Sequence, residues 1–129
     1  MRIWIGLSAA LFAAGNLAAC ATKYSVRDVM ETEPARTMTI SGTPADVAAC
    51  TTDYLAIHDE VVPANPSVHT EGNDQLIVGV STRVDAPLYV IRLAHDTASI
   101  HLSPGLVFKI DSLTEDLTKA LRQCERAGT

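Results

Sequence analysis

Apolar residues follow three rhythms along this chain. From Ile3 to Ala14 they form one uncharged run, which Gly15-Asn16 breaks. From Ala21 to Arg36 they are sparse, and Lys23, Arg27, Asp28, Glu31, Glu33 and Pro34 make the stretch polar. Such a segment reads as a tether. From Thr37 onward, periods of two and of three to four residues alternate, the signature of mixed strands and helices.

Thr37-Met38-Thr39-Ile40-Ser41 alternates as a half-buried strand with Met38 and Ile40 inward. Thr43, Pro44 and Asp46 then supply a cap, a proline at the first helical position and a first-turn acid. Val47, Cys50, Tyr54 and Ile57 recur at helical spacing, with Thr51 and Leu55 flanking, and predict a helix to Ile57 whose apolar face holds Cys50. His58 to Pro66 reads as a loop interrupted by Pro63 and Pro66. Ser67–Glu71 is a short strand. Glu71-Gly72-Asn73-Asp74 is a turn. Leu76, Val78 and Val80 line one face of the next strand, and Arg83–Ala86 turns the chain again. Pro87–Ala94 is apolar on both faces, which predicts a central strand. After His95-Asp96, Ala98, Ile100 and Leu102 alternate with Ser99, His101 and Ser103, and Pro104-Gly105 ends that strand.

Ser112-Leu113-Thr114-Glu115 has the residue types of a capping box. Leu113, Leu117, Ala120, Leu121 and Cys124 then form an apolar stripe, Glu115–Lys119 is a favourable pair, and Gly128 stands where a C-terminal cap belongs. The predicted order is β-α-β-β-β-β-α. Hairpins make the sheet antiparallel, and two amphipathic helices need one face to bury against. The fold class is therefore α+β, a two-layer sandwich with both helices on one face. In element order alone it resembles the TBP-like and helix-grip arrangements of small outer-membrane assembly lipoprotein domains.

The first run changes the picture of where the chain lives. Met1-Arg2 is a positive start, and the apolar run is shorter than the roughly 20 residues a spanning helix needs, so it reads as a secretory signal. Leu17-Ala18-Ala19-Cys20 follows it and resembles the lipobox of bacterial lipoproteins: an aliphatic residue, two small ones, then cysteine. The resemblance covers residues 1–20. It implies cleavage before Cys20, a diacylglyceryl thioether on the Cys20 sulfur and an acyl chain on the new amine. Several chains anchor a protein stably where one does not. Alanine at position 21 implies, by the same resemblance, sorting to the periplasmic side of an outer membrane. The alternative is an ordinary secretory signal with cleavage among the same alanines. The expected organisation is 1–19 signal, 20–36 lipidated cysteine and tether, and 37–129 a single domain.

Removing the signal leaves about 110 residues, one domain's worth. The whole sequence carries a formal charge of −5, and the signal's single charge is Arg2, so the mature chain is more acidic still. This argues against nucleic-acid partners and a polybasic membrane surface. Cys50 and Cys124 remain as an even pair in an oxidising compartment, both on apolar helix faces, and are expected to form a disulfide.

The candidate chemistry is thin. His58, His69, His95 and His101 lack the spacing of a zinc site, and the acids of 59–60 and 71–74 lack a calcium-loop pattern, so no metal and no cofactor is expected. The histidines read as exposed strand and turn residues. No nucleophile elbow, zinc-protease, P-loop or dinucleotide motif occurs. Arg92, alone among charges in the central strand, reads as solvent-facing or paired with an acid on a neighbouring strand, or else as a ligand contact. The expectation is a non-enzymatic, lipid-anchored domain that meets the membrane through its anchor and contacts an envelope protein. A small-ligand or lipid-binding module using the groove between sheet and helices is the alternative, and a hydrolase with an unrecognised site is a further one.

Overall fold

The computed structural model describes residues 24–58, 62, 64–106 and 110–129. The expected signal segment, Cys20, Asp59, Glu60 and Pro63 lie outside the described residues. The elements are α1 (Val26–Met30), β1 (Arg36–Thr39), α2 (Pro44–Ile57), β2 (Ala64–Glu71), β3 (Asp74–Ser81), β4 (Pro87–Ala94), β5 (Thr97–Leu102) and α3 (Ile110–Cys124). The five strands form one antiparallel sheet in the order β1-β5-β4-β3-β2. The expected α+β order is present, preceded by α1. β4, apolar on both faces, is the central strand.

One face of the sheet carries α2 and α3. Tyr89, Ile91 and Leu93 of β4 meet Ile100 of β5, Val47 and Leu55 of α2, and Leu117 and Leu121 of α3 in a single buried cluster. The stripe expected on α3 is buried throughout, from Leu113 to Cys124. That helix starts at Ile110, two residues before the expected capping serine, so Ser112 lies inside it. Thr114 and Thr118 widen the buried stripe because each hydroxyl donates to the carbonyl four residues back, at 2.8 and 2.7 Å. Glu115 turns away from the expected Lys119 to meet Arg36 of β1 at 2.7 Å.

The buried face of α2 is rotated from the expected one. Val47, Ala48, Thr51 and Leu55 are buried, whereas Ile57 is 73 % exposed at the helix end. Cys50 and Tyr54 are half-buried, and Cys50 is bridged to Cys124 of α3 with a Cα–Cα distance of 5.6 Å, inside the range a disulfide requires. Small Ala48 and Thr51 carry no strong apolar signal, so the periodicity favoured the wrong neighbours. The same corner is held by backbone bonds: Glu125 O accepts from Ser41 N at 3.0 Å and Gly42 N at 2.8 Å. A Cβ on Gly42 would overlap the carbonyl oxygen of Ala127. The turn after α3 therefore lies directly on the chain entering α2.

The expected tether is the main correction. α1 forms inside it, and β1 begins at Arg36. Ser25 Oγ accepts from Asp28 N, and the Asp28 carboxylate accepts from Ser25 N, a complete capping box. The second of these bonds holds the Asp28 carboxyl below its usual 3.8. Val29 is fully buried against Leu76, Val78 and Val90 on the opposite sheet face, with Val26 and Met30 beside it. The chain leaving α1 is pinned to β5: Ala35 N donates to Ile100 O at 2.7 Å, and His101 Nδ1 donates to Thr32 O at 2.9 Å. His101 is consequently buried, not exposed as expected. A five-residue helix is not stable by itself, so this packing maintains it. Residues 25–35, which the expected boundary at 37 left in the tether, are therefore packed against the sheet.

β2 also begins earlier than expected, at Ala64, and includes Pro66. It is an edge strand, where a residue without an N–H is tolerated.

Tyr89 is the largest fully buried side chain, and its hydroxyl has no hydrogen-bond partner among the described residues. A buried, unpartnered hydroxyl costs stability. Tyr89→Phe is expected to raise stability by about 1 kcal/mol. Burial also pushes the phenol pKa well above 10.0. A raised folded-state pKa means that the contribution is complete below the unfolded value and declines as pH rises past it. Stability should thus fall above pH 10 by up to about 1.4 kcal/mol per pH unit, and this limb should vanish in Tyr89→Phe. Urea midpoints between neutral pH and pH ~11 measure both effects; a destabilised Tyr89→Phe would contradict the first.

Candidate functional site

The alternation of the strands decides what each sheet face offers. Opposite α2 and α3, β2 presents Ser67, His69 and Glu71, β3 presents Asp74, Leu76 and Val78, and β4 presents Val90 and Arg92. α1 covers the apolar part of this face and leaves the charged end open. Between them lies a groove of about 420 Å³ lined by Val26, Arg27, Met30, Glu31, Glu71 and Arg92. The space between the sheet and α2–α3, which the alternative ligand-module reading would use, is occupied by the core. A smaller cavity of about 130 Å³ lies on that side, lined by Tyr54, Leu55, His58, Val62, Asp116 and Lys119.

Arg92 sits where its strand register places it, beside the β3 acid at the hairpin end. Its Nε and Nη2 donate to Asp74 Oδ2 at 2.9 and 2.6 Å. The pair is partly exposed, 46 % for Arg92 and 22 % for Asp74, so it contributes about 1 kcal/mol at most. The expected pairing of Arg92 with an acid on the neighbouring strand is present, and the same side chain lines the groove. Among the described residues, Arg27, Glu31 and Glu71 form no ion pair. The groove therefore holds two guanidiniums and two carboxylates that are unpaired among the described residues, with Val26 and Met30 as its apolar wall.

The histidines are dispersed. His58 lies against the Tyr54 ring at 4.3 Å, His95 turns the β4–β5 hairpin with φ 53°, and His101 is buried under Thr32. His69 Nε2 is 2.9 Å from Ser67 Oγ on edge strand β2, a hydroxyl–imidazole pair that the sequence reading missed although the two residues share a strand face. The pair is solvent-exposed, lines neither cavity, and no third side chain orients its Nδ1 among the described residues. It lacks the support of a nucleophile–base pair. No three His, Cys, Asp or Glu side chains converge as a metal site among the described residues, and no described helix is long and apolar enough to cross a membrane.

Cys50 and Cys124 are brought together as expected, and Cys20 lies outside the described residues. Comparison with protein-family models, curated proteins and solved structures finds no match to this chain.

Proposed function

We propose that the chain is a lipid-anchored lipoprotein of a bacterial envelope, held at the periplasmic side of the outer membrane, with a non-catalytic binding or structural role. The observation that carries this reading is Leu17-Ala18-Ala19-Cys20 placed directly behind the uncharged run Ile3–Ala14. The Cys50–Cys124 bridge supports it, because such bonds persist in oxidising compartments outside the cytosol. It also leaves Cys20 as the cysteine without a disulfide role. Contact with an envelope protein is part of the proposal. A ligand-binding role is favoured by one specific observation, the mixed-charge groove beside α1.

Intact mass of the native protein tests the anchor. The expected product begins at Cys20, carries acyl chains and partitions into detergent. Cys20→Ala should move the protein to the soluble fraction with an unchanged melting temperature, since Cys20 precedes every described element. A native chain with a different N-terminus and no lipid would end this reading.

A further inference from the structure

We propose that the groove between α1 and the sheet holds the headgroup of a membrane phospholipid bearing both a phosphate and a primary ammonium, and thereby sets the α1 face against the bilayer. The proposal rests on the anchor reading for the source of the ligand. The number of residues between Cys20 and the first described element supplies the first argument. Cys20 stands six positions before Val26, and Val26 itself lines the groove. Even fully extended, that stretch spans only about 20 Å. A tether running to Arg36 would let the domain tumble far from the surface, whereas the docking of α1 shortens the leash to a few residues. The face next to the lipidated cysteine is then the α1 face, and its groove is the cavity nearest the headgroups.

Charge complementarity supplies the second argument. Arg92 spends Nε and Nη2 on Asp74, and among the described residues its Nη1 has no protein acceptor. With Arg27 it offers guanidinium donors to a phosphate, the group such forks fit best. Glu31 and Glu71, without ion-pair partners among the described residues, are placed to receive an ammonium. Val26 and Met30, one helical turn apart, give the glycerol and first methylenes an apolar wall. Glu31, Glu71 and Asp74 together oppose a purely anionic headgroup. A quaternary ammonium could not donate hydrogen bonds to the two carboxylates. The arrangement thus selects phosphoethanolamine over phosphoglycerol and phosphocholine.

The test is a titration of the mature chain carrying Cys20→Ala with short-chain phosphatidylethanolamine, phosphatidylcholine and phosphatidylglycerol, each below its micellar concentration, followed by amide resonances. Phosphatidylethanolamine should shift the signals of α1, Glu71 and Arg92 and bind at least about tenfold more tightly than the other two, the difference of one charge-assisted hydrogen bond. Arg92→Gln and Glu31→Gln should each weaken it about fivefold or more while leaving the melting temperature within a few degrees, because both side chains are on the surface. Equal affinity for the three lipids, shifts confined to other elements, or indifference to both variants would overturn the proposal. Tighter binding of a short zwitterionic peptide at the same residues would overturn it in favour of a peptide site. Intact mass of the native protein separates the two readings. An acylated chain whose groove ignores phosphatidylethanolamine keeps its anchor and loses this proposal, whereas an unacylated chain removes the anchor and, with it, the argument for a membrane ligand.

Discussion

Opening the Cys50–Cys124 bridge is expected to cost the domain up to about 4.5 kcal/mol, the chain-entropy value for a loop of this size. The bridged residues are 74 positions apart, so the unfolded chain gains much freedom when the bond is broken. The folded state hardly changes, because backbone bonds from Glu125 and Ala127 to residues 41–43 already hold α2 against α3. The loss therefore acts through the unfolded ensemble. Total stability for a domain of this size is about 5–15 kcal/mol, which makes the bridge a large share of it. A Cys50→Ala/Cys124→Ala double variant should melt roughly 15–30 °C below the parent. The parent treated with reductant should match it, while the double variant should not respond to reductant. The control is Cys20→Ala, which should melt with the parent. Two free thiols in denatured, unreduced protein from the native compartment would refute the bridge.

Gly79→Ala should cost about 3 kcal/mol, the upper end for overpacking a core. A Cβ at position 79 would fall inside the ring of Tyr89, which lies across the paired residue on the neighbouring strand. The ring cannot retreat, since Ile77, Ile91 and Leu93 around it are fully buried. The cost should therefore depend on the tyrosine. Combining Gly79→Ala with Tyr89→Leu should cost at least about 1.5 kcal/mol less than the sum of the two single changes. Chemical denaturation of the four proteins gives this coupling directly. Strict additivity would show that the ring does not limit position 79.

Much of this architecture was legible, and the errors share a cause. Long elements with strong apolar contrast, such as Leu113 to Cys124 and the two-sided strand Pro87–Ala94, were readable because many residues vote for one period. α1 was missed because its five residues offer only Val26, Val29 and Met30, although Ser25 and Asp28 already had capping-box spacing. Its helicity depends on Leu76, Val78 and Val90, which are remote in sequence and cannot be seen locally. The rotation of α2 has the same origin: small Ala48 faces the core and large Ile57 does not, because the end of the helix overruns the packed layer. The groove was not legible at all. Arg92 stood out as a charge in a central strand, but its neighbours Arg27, Glu31 and Glu71 meet it only through the docking of α1.

β1 and β2 are separated in sequence by one helix yet occupy opposite edges of the sheet, so the sheet cannot assemble in chain order. β2 to β5 form a meander of short-range hairpins, which close at little entropic cost. β1 must wait for its partner, because Arg36 pairs with Ile100. Cys50 likewise waits for Cys124, on the last helix to emerge. During that delay an early cysteine could be oxidised with the wrong neighbour, and Cys20 is the remaining candidate in the chain. Under the proposed thioether linkage that sulfur is already consumed. Three thiols allow three pairings, and capping one of them leaves a single outcome, so the anchoring chemistry would also act as proofreading for the disulfide.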